Sequence, residues 1–67
     1  MLRKKIVSLR KERKLTQSDV AMAIEISRAH YGRIETGDRN PSFATAMKIK
    51  KYFDYSNDDI FDNTNSN

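Results

Sequence analysis

Apolar residues recur in the first part of this chain at the spacing of one face of an α-helix. Leu2, Ile6 and Leu9 lie four and three residues apart, as residues on a shared helix face do. The pattern predicts a first helix over residues 2–13, with Arg3 among the charged residues on its outer faces. No run of more than three or four residues follows a strand pattern. We therefore predict an all-α fold.

Another helical stripe follows the single proline of the chain. It predicts a fourth helix over residues 42–53. A break and one last helical turn over residues 57–61 come next, with Ser56 as the predicted cap of that turn. The fold is therefore expected to be compact, with four to five helices. The apolar positions of the fourth helix, which recur at helical spacing, are Phe43, Ala46, Met47, Ile49 and Phe53.

Two helix-start signals lie in the middle of the chain. Thr16 and Asp19 form a capping box, in which the hydroxyl accepts a backbone N–H and the carboxylate reaches back to the cap. Ser27 is the second cap, so we predict helices over residues 17–24 and 28–36. The break between them is too short for a loop, and the helices must therefore cross steeply. That geometry places a second helix in a DNA major groove.

The composition excludes several classes of protein. A chain of 67 residues forms one domain, which we assign to residues 1–61, with residues 62–67 as a disordered polar tail. The absence of cysteine excludes a disulfide framework and a thiolate zinc site. No apolar run approaches the roughly 18 residues of a membrane span, and no signal-peptide pattern is visible. We expect a cytoplasmic protein with no membrane partner and no metal.

Positive charge is concentrated in two parts of the chain, within a net charge of +4. Residues 1–14 and 38–53 are basic, whereas residues 54–67 are acidic. A solvated lysine-rich surface and a face that binds a polyanion both explain this distribution. The acidic residues lack the glycine and terminal glutamate of a calcium loop, so they indicate a solvated tail.

One coordinated set of residues runs from the first cap to the start of the fourth helix. It consists of Leu15, Thr16, Gln17, Val20, Ala21, Ile24, Ile26, Ser27, Arg28, Tyr31, Gly32, Arg33, Ile34, Glu35, Gly37, Arg39, Asn40, Pro41 and Ser42. This set closely resembles the lambda-repressor-like helix-turn-helix family, the group of Cro and the repressors, also called the xenobiotic-response-element family. The resemblance covers roughly residues 3–61. It implies an all-α domain of four or five helices that binds operator DNA, usually as a two-fold dimer.

Finer features of the resemblance concern single positions. The pattern of Arg28 and Tyr31 resembles phage and mobile-element repressors of Gram-positive bacteria. Glu25 departs from the family, which usually has glycine there, and a left-handed backbone costs another residue roughly 1 kcal/mol. The resemblance also implies that Arg10 pairs with Glu35 at the edge of the core.

The third helix is expected to have one outward face. At about 100° per residue, Tyr31 and Ile34 lie towards the core, and four residues share the opposite side. The same four match the family's base-reading positions. An arginine there can bond guanine O6 and N7 for ~1–3 kcal/mol of discrimination, and an alanine can touch a thymine methyl. Phosphate contacts and surface ion pairs are the alternatives. The predicted base-contacting residues are Arg28, Ala29, Gly32 and Arg33.

Six further residues are predicted to contact phosphates. Gln17 begins the second helix, where the backbone N–H groups of a positive helix end suit phosphate. Its family counterpart also braces the reading helix, and Arg39 and Asn40 match positions that hold the DNA backbone on the other side. For His30, the one histidine, a partly exposed side chain is the alternative. The complete set is Gln17, Ser27, His30, Thr36, Arg39 and Asn40.

These observations predict a sequence-specific regulator that binds double-stranded DNA. We expect a bacterial or phage-encoded, nucleoid-associated repressor that binds a palindromic operator as a homodimer, with helix 28–36 in the major groove. The alternative is a protein-interaction module, such as an antitoxin component, on the same scaffold. No nucleophile–base pair or phosphate-cradling loop supports an enzyme, and no cofactor or small-molecule substrate is implied. The suggested dimer surface contains Phe43, Tyr52, Phe53, Tyr55 and Phe61.

Overall fold

Four α-helices and a short 3₁₀ helix follow one another in the computed structural model, which describes residues 2–62. No strand occurs between these residues, and the all-α prediction is confirmed. None of the described helices is long and apolar enough to cross a membrane. Of the predicted tail, residues 62–67, only residue 62 is among the described residues. The elements are α1 Lys4–Glu12, α2 Gln17–Ile24, α3 Arg28–Thr36, α4 Phe43–Tyr52 and the 3₁₀ helix Asp58–Phe61.

The two central helices have the predicted bounds, whereas the outer helices are shorter. α1 starts after Arg3, whose φ of −87° and ψ of 85° are not helical. The chain leaves α4 through Asp54, which has a left-handed backbone with φ of 53°. The prediction that Ser56 caps the last turn is wrong. Asn57 precedes the 3₁₀ helix, and its side chain makes no capping hydrogen bond.

Side-chain caps fix where α2, α3 and α4 begin. The Thr16 hydroxyl accepts the Asp19 N–H at 3.0 Å, and the Asp19 carboxylate accepts the Thr16 N–H at 2.8 Å. The predicted capping box is therefore confirmed. Ser27 and Ser42 cap α3 and α4, each through a hydroxyl that accepts an N–H three residues later. Such caps contribute about 1 kcal/mol each.

A left-handed residue makes the tight turn between α2 and α3. Glu25 has a φ of 65°, so it adopts the left-handed conformation that costs a residue other than glycine roughly 1 kcal/mol. Its N–H donates to the Met22 carbonyl, and the Ile26 N–H donates to the Ala21 carbonyl at 3.0 Å. These two bonds form a Schellman motif, which satisfies the last carbonyls of α2. The motif redirects the chain so that α3 begins immediately.

The core receives apolar side chains from every helix. It is small, as expected for a chain of this size. Each large aliphatic side chain buried in it contributes ~1.5–3 kcal/mol. The buried apolar residues are Ile6, Val20, Ala21, Ile24, Tyr31, Ile34, Ile49, Phe53 and Ile60.

α4 buries only some of its apolar positions. Ile49 and Phe53 are buried, whereas Phe43 is 83% exposed and Met47 is 48% exposed. At about 100° per residue, Phe43 and Met47 lie well over a quarter turn around the helix from Ile49. Phe43 and Met47 therefore lie outside the core and form an exposed apolar pair.

Arg3 lies inside the protein and not on an outer face of the first helix. It is 3% exposed, and its backbone N–H donates to the Glu35 carbonyl at 2.7 Å. The prediction that grouped Arg3 with the exposed lysines is wrong. Its non-helical backbone takes it out of the register of α1, so the side chain turns under the end of α3.

Candidate nucleic-acid interface

α3 has one buried side and one exposed side. Tyr31, Ile34 and Glu35 are at most 1% exposed and join α3 to the core. This confirms the predicted orientation of the helix. The opposite side, which we call the outward face, is exposed apart from its glycine, which is partly exposed. It consists of Arg28, Ala29, Gly32 and Arg33.

A buried ion pair holds α3 against α1. Arg10 Nε donates to Glu35 Oε2 at 2.6 Å, and Arg10 Nη2 donates to Oε1 at 3.1 Å. The two side chains are 12% and 2% exposed. The pair that the family resemblance implied is therefore present. A fork of two parallel bonds fixes orientation as well as distance, so it sets how α3 is seated.

Gln17 connects the same carboxylate to α2. Its Nε2 donates to Glu35 Oε1 at 2.9 Å, so one glutamate joins α1, α2 and α3. Burial alone would raise the pKa of Glu35, but the hydrogen bonds from Arg10 and Gln17, with Tyr31 beside them, lower it below its ordinary value. Glu35 is therefore charged at neutral pH. Burial, reinforced by this negative charge, raises the pKa of the Tyr31 hydroxyl.

Gly32 leaves a gap on the outward face between two longer side chains. A Cβ atom at this position would lie 3.4 Å from Gln17 Oε1 and 3.6 Å from Arg28 Nη1. Those distances are ordinary van der Waals contacts with flexible side chains. The side chains of Gln17 and Arg28 therefore flank Gly32, and no side chain covers it on the outward face.

The side chains of the two arginines of the outward face have no partner among the residues that the structure describes. Within residues 2–62, no hydrogen bond or ion pair engages the guanidinium of Arg28 or Arg33. The side chain of Arg39, in the loop after α3, is also exposed and unpaired within the same residues. All three guanidinium groups are available to an external anion or base edge.

Nine of the ten predicted contact residues line one continuous surface. It consists of two adjoining shallow depressions that share Ala29 and Arg33. The first is lined by Gln17, Arg28, Ala29, Gly32, Arg33, Thr36 and Asp38, and the second by Ser27, Ala29, His30, Arg33 and Arg39. The fold thus brings the predicted residues together, while their contacts with DNA remain a prediction.

The remaining predicted residues differ in the donors that they can offer to a phosphate. Ser27 accepts the His30 N–H at 3.0 Å, which leaves its hydroxyl proton free. Thr36 donates its one proton internally, to the Arg33 carbonyl at 3.1 Å or the Asp38 carboxylate at 3.2 Å. Asn40 uses its side-chain oxygen as an acceptor, and its two amide protons stay available. Thr36 is therefore the weakest donor of this group.

Sequence reasoning missed one residue that supports this surface. Arg3 bonds the loop that carries Arg39 and Asn40. No local pattern could have identified it, because the acceptors of its side chain lie 31 to 58 residues away in the sequence.

No described residues form a metal site in this region, since residues 2–62 contain no group of three or more His, Asp or Glu side chains able to hold an ion. The surface offers hydrogen-bond donors and positive charge.

Comparison with known proteins identifies relatives along most of the chain. Residues 6–60 match the sequence profile of the helix-turn-helix family, which confirms the lambda-repressor-like resemblance. The chain is 43% identical over 58 residues to the uncharacterised HTH-type transcriptional regulator YqaF of Bacillus subtilis, covering 84% of this chain and 76% of that protein. It is 43% identical over 47 residues to an uncharacterised HTH-type transcriptional regulator of Methanocaldococcus jannaschii, covering 70% and 71%. No solved structure shows significant similarity.

Proposed function

This chain belongs to the helix-turn-helix family of DNA-binding transcriptional regulators, and we propose that it is a repressor that binds a palindromic operator as a homodimer. α3 enters the major groove with its outward face towards the base pairs. Binding blocks transcription by occupancy, so the function needs no catalytic step. The protein acts in the cytoplasm on bacterial or phage DNA.

Two arginines carry the proposed base recognition. Arg28 and Arg33 are exposed and unpaired within residues 2–62, on a helix that a buried ion pair seats firmly. This is the observation that supports the proposal most strongly. Each guanidinium can bond guanine O6 and N7 together, for ~1–3 kcal/mol of discrimination. Ala29 contributes a methyl contact, and Gly32 lets the helix lie close to the groove floor.

The neighbouring donors hold the phosphate backbone on both sides of α3. On one side, the backbone N–H of Gln17 has no acceptor within its helix and points from the positive end of α2. On the other side, Arg39 and Asn40 follow the end of α3. Ser27, His30 and Thr36 complete the proposed set. Contacts of this kind fix the register of α3 but carry no sequence information.

The proposed dimer surface includes the exposed apolar pair on α4. Phe43 is 83% exposed and Met47 is 48% exposed. Tyr52 was also among the suggested dimer residues and is 38% exposed, but at about 100° per residue it lies on the opposite side of α4 from Phe43. Phe53 was among the suggested dimer residues, but it is 1% exposed and belongs to the core. A two-fold dimer places its reading helices about 34 Å apart, one turn of DNA. The operator is therefore expected to be palindromic.

Selection of bound sequences from random duplex DNA tests this proposal directly. We expect enrichment of a motif with two-fold symmetry, containing guanines that the Arg28→Ala or Arg33→Ala variant no longer requires. Analytical ultracentrifugation on the selected duplex should give two chains per site. If no motif is enriched and both variants keep their biological activity, the protein-interaction module becomes the better explanation.

A further inference from the structure

A buried arginine holds the loop that leads from α3 to α4. Arg3 Nη1 donates to the Arg39 carbonyl at 2.8 Å, and Arg3 Nη2 donates to Asn40 Oδ1 at 2.6 Å. The same guanidinium donates through Nη1 to the Ile34 carbonyl at 2.7 Å and through Nε to the Phe61 carbonyl at 2.8 Å. It therefore ties the loop to the end of α3 and to the C-terminal 3₁₀ helix.

The bonding of Arg3 matches the shape of a guanidinium group. Four of its five N–H donors have an acceptor, and all four acceptors are neutral oxygens. Within residues 2–62, no carboxylate forms an ion pair with Arg3. The planar guanidinium thus fixes the relative positions of four acceptor oxygens through hydrogen bonds alone. A lysine has three donors on one atom and cannot reproduce the planar fork.

The bond to Asn40 also fixes the direction of its amide group. The oxygen faces Arg3 inside the protein, so the Nδ2 protons point away from Arg3. Asn40 itself is exposed. Its neighbour Arg39 is held by its backbone carbonyl, which leaves its side chain free at the surface. Both residues are therefore oriented by one interior group that has no access to DNA.

We propose that Arg3 is a positioning residue for DNA binding, which holds Arg39 and Asn40 so that their donors meet the phosphate backbone beside α3. The inference rests on the proposed function, because it assigns these two residues to phosphate contacts. Arg3 stays buried in the complex and touches no nucleotide. Its loss weakens binding to all sequences and leaves the base preference unchanged, because phosphate contacts carry no sequence information.

The decisive variant is Arg3→Lys, because it keeps the net charge and removes the fork. We expect affinity for both a selected duplex and a scrambled duplex to fall about tenfold, or 1.4 kcal/mol. The slope of log affinity against log salt should become about one unit shallower as a phosphate contact is lost. The NMR signal of the Asn40 side-chain amide should shift to that of an exposed, freely rotating amide.

Two control variants separate positioning from charge and from stability. Lys4→Gln removes a charge next to Arg3 at an exposed position and should leave the Asn40 amide signal unchanged. Ile49→Val destabilises the core away from the loop and should leave affinity unchanged wherever the protein is folded. All measurements are made at a temperature where circular dichroism shows each variant to be folded.

A double-mutant cycle tests whether Arg3 acts through Asn40. Asn40→Ala alone should cost less than tenfold, because Arg3 still holds Arg39, and the double variant should cost about tenfold, no more than Arg3→Lys alone. A double variant whose loss equals the product of the two single losses would overturn the inference, and so would an unchanged affinity of folded Arg3→Lys. Failure of the unmodified chain to bind any duplex would instead overturn the proposed function itself.

Discussion

Arg3 and Arg10 lie inside this protein, whereas Arg28 and Arg33 lie on its surface, and the two pairs have opposite surroundings. The inner arginines use their donors on the protein: Arg10 bonds Glu35 and the Leu15 carbonyl, and Arg3 bonds four oxygens. The outer arginines bond nothing within residues 2–62. The inner arginines therefore stabilise the fold, whereas the outer arginines keep their hydrogen-bond donors available for a ligand.

The difference separates stability from binding. Breaking a buried ion pair costs several kcal/mol because the remaining charge is left without a partner. Leaving an arginine unpaired at the surface costs little, since exposed pairs contribute only ~0–1 kcal/mol. We therefore expect loss of the Arg10–Glu35 pair to act mainly on folding, and changes at Arg28 and Arg33 to act mainly on DNA affinity. Arg3→Lys should act on both, because Arg3 is buried and also holds the loop that carries Arg39 and Asn40.

Replacing the partner of Arg10 should have the largest effect. Glu35→Gln keeps the shape of the side chain but leaves the Arg10 guanidinium buried without a counter-charge. We expect a loss of about 3–5 kcal/mol in the free energy of unfolding, which is most of the stability of a domain this small. Chemical denaturation followed by circular dichroism measures the loss.

Glu12→Gln is the matched control, because its carboxylate is 70% exposed and meets Arg13 only at 4.0 Å. Its effect should stay within ±0.5 kcal/mol. Equal effects of the two substitutions would mean that the Glu35 pair does not seat α3.

The stability of the protein should also depend on pH through the Arg10–Glu35 pair. Protonation of Glu35 should lower the free energy of unfolding by no more than Glu35→Gln does. Because the folded state lowers the pKa of Glu35 below its ordinary value of 4.5, the stabilisation is complete above that value. It is lost as the pH falls through the lower folded pKa. Thermal unfolding at a series of pH values should therefore show a steep decline below about pH 4.5 that Glu35→Gln flattens. An equally steep decline in both proteins would assign acid sensitivity to other carboxylates.

Removing an outer arginine should change DNA recognition and leave the stability of the protein nearly unchanged. Arg33→Ala is expected to cost ~1–3 kcal/mol of discrimination at one base pair in each half-site, with the free energy of unfolding within ±0.5 kcal/mol of the original. Binding to duplexes with each base substituted in turn measures this. A uniform loss across all sequences would reassign Arg33 to a phosphate.

The central helices could be predicted because their signals are local. Thr16 and Asp19, or Ser27 and the N–H that it caps, lie within three residues of each other, so sequence spacing decides the outcome. The outward face of α3 followed from the periodicity of Tyr31 and Ile34. These parts of the site required no knowledge of distant contacts.

The side chains that could not be placed from sequence are those whose environment depends on distant segments. Arg3 is buried because carbonyls 31, 36 and 58 residues away converge on it, and no local pattern shows that convergence. Phe43 is exposed because the packing of α4 selects Ile49 and Phe53. The periodicity shows that these positions of α4 are apolar, but only tertiary contacts determine which of them are buried.

The smallest change tests whether stability and binding can move in opposite directions. Gly32→Ala should raise the free energy of unfolding by about 0.5–1 kcal/mol, because alanine loses less conformational freedom in a helix. The added methyl makes only ordinary contacts with Gln17 and Arg28, so no strain offsets this gain. The methyl also fills the gap on the outward face, and DNA affinity should fall because α3 can no longer lie as close to the groove floor. Ala23→Gly, at an exposed site of α2, should lower stability by a similar amount without changing affinity. If Gly32→Ala binds DNA as tightly as the original, close approach at this position is not required.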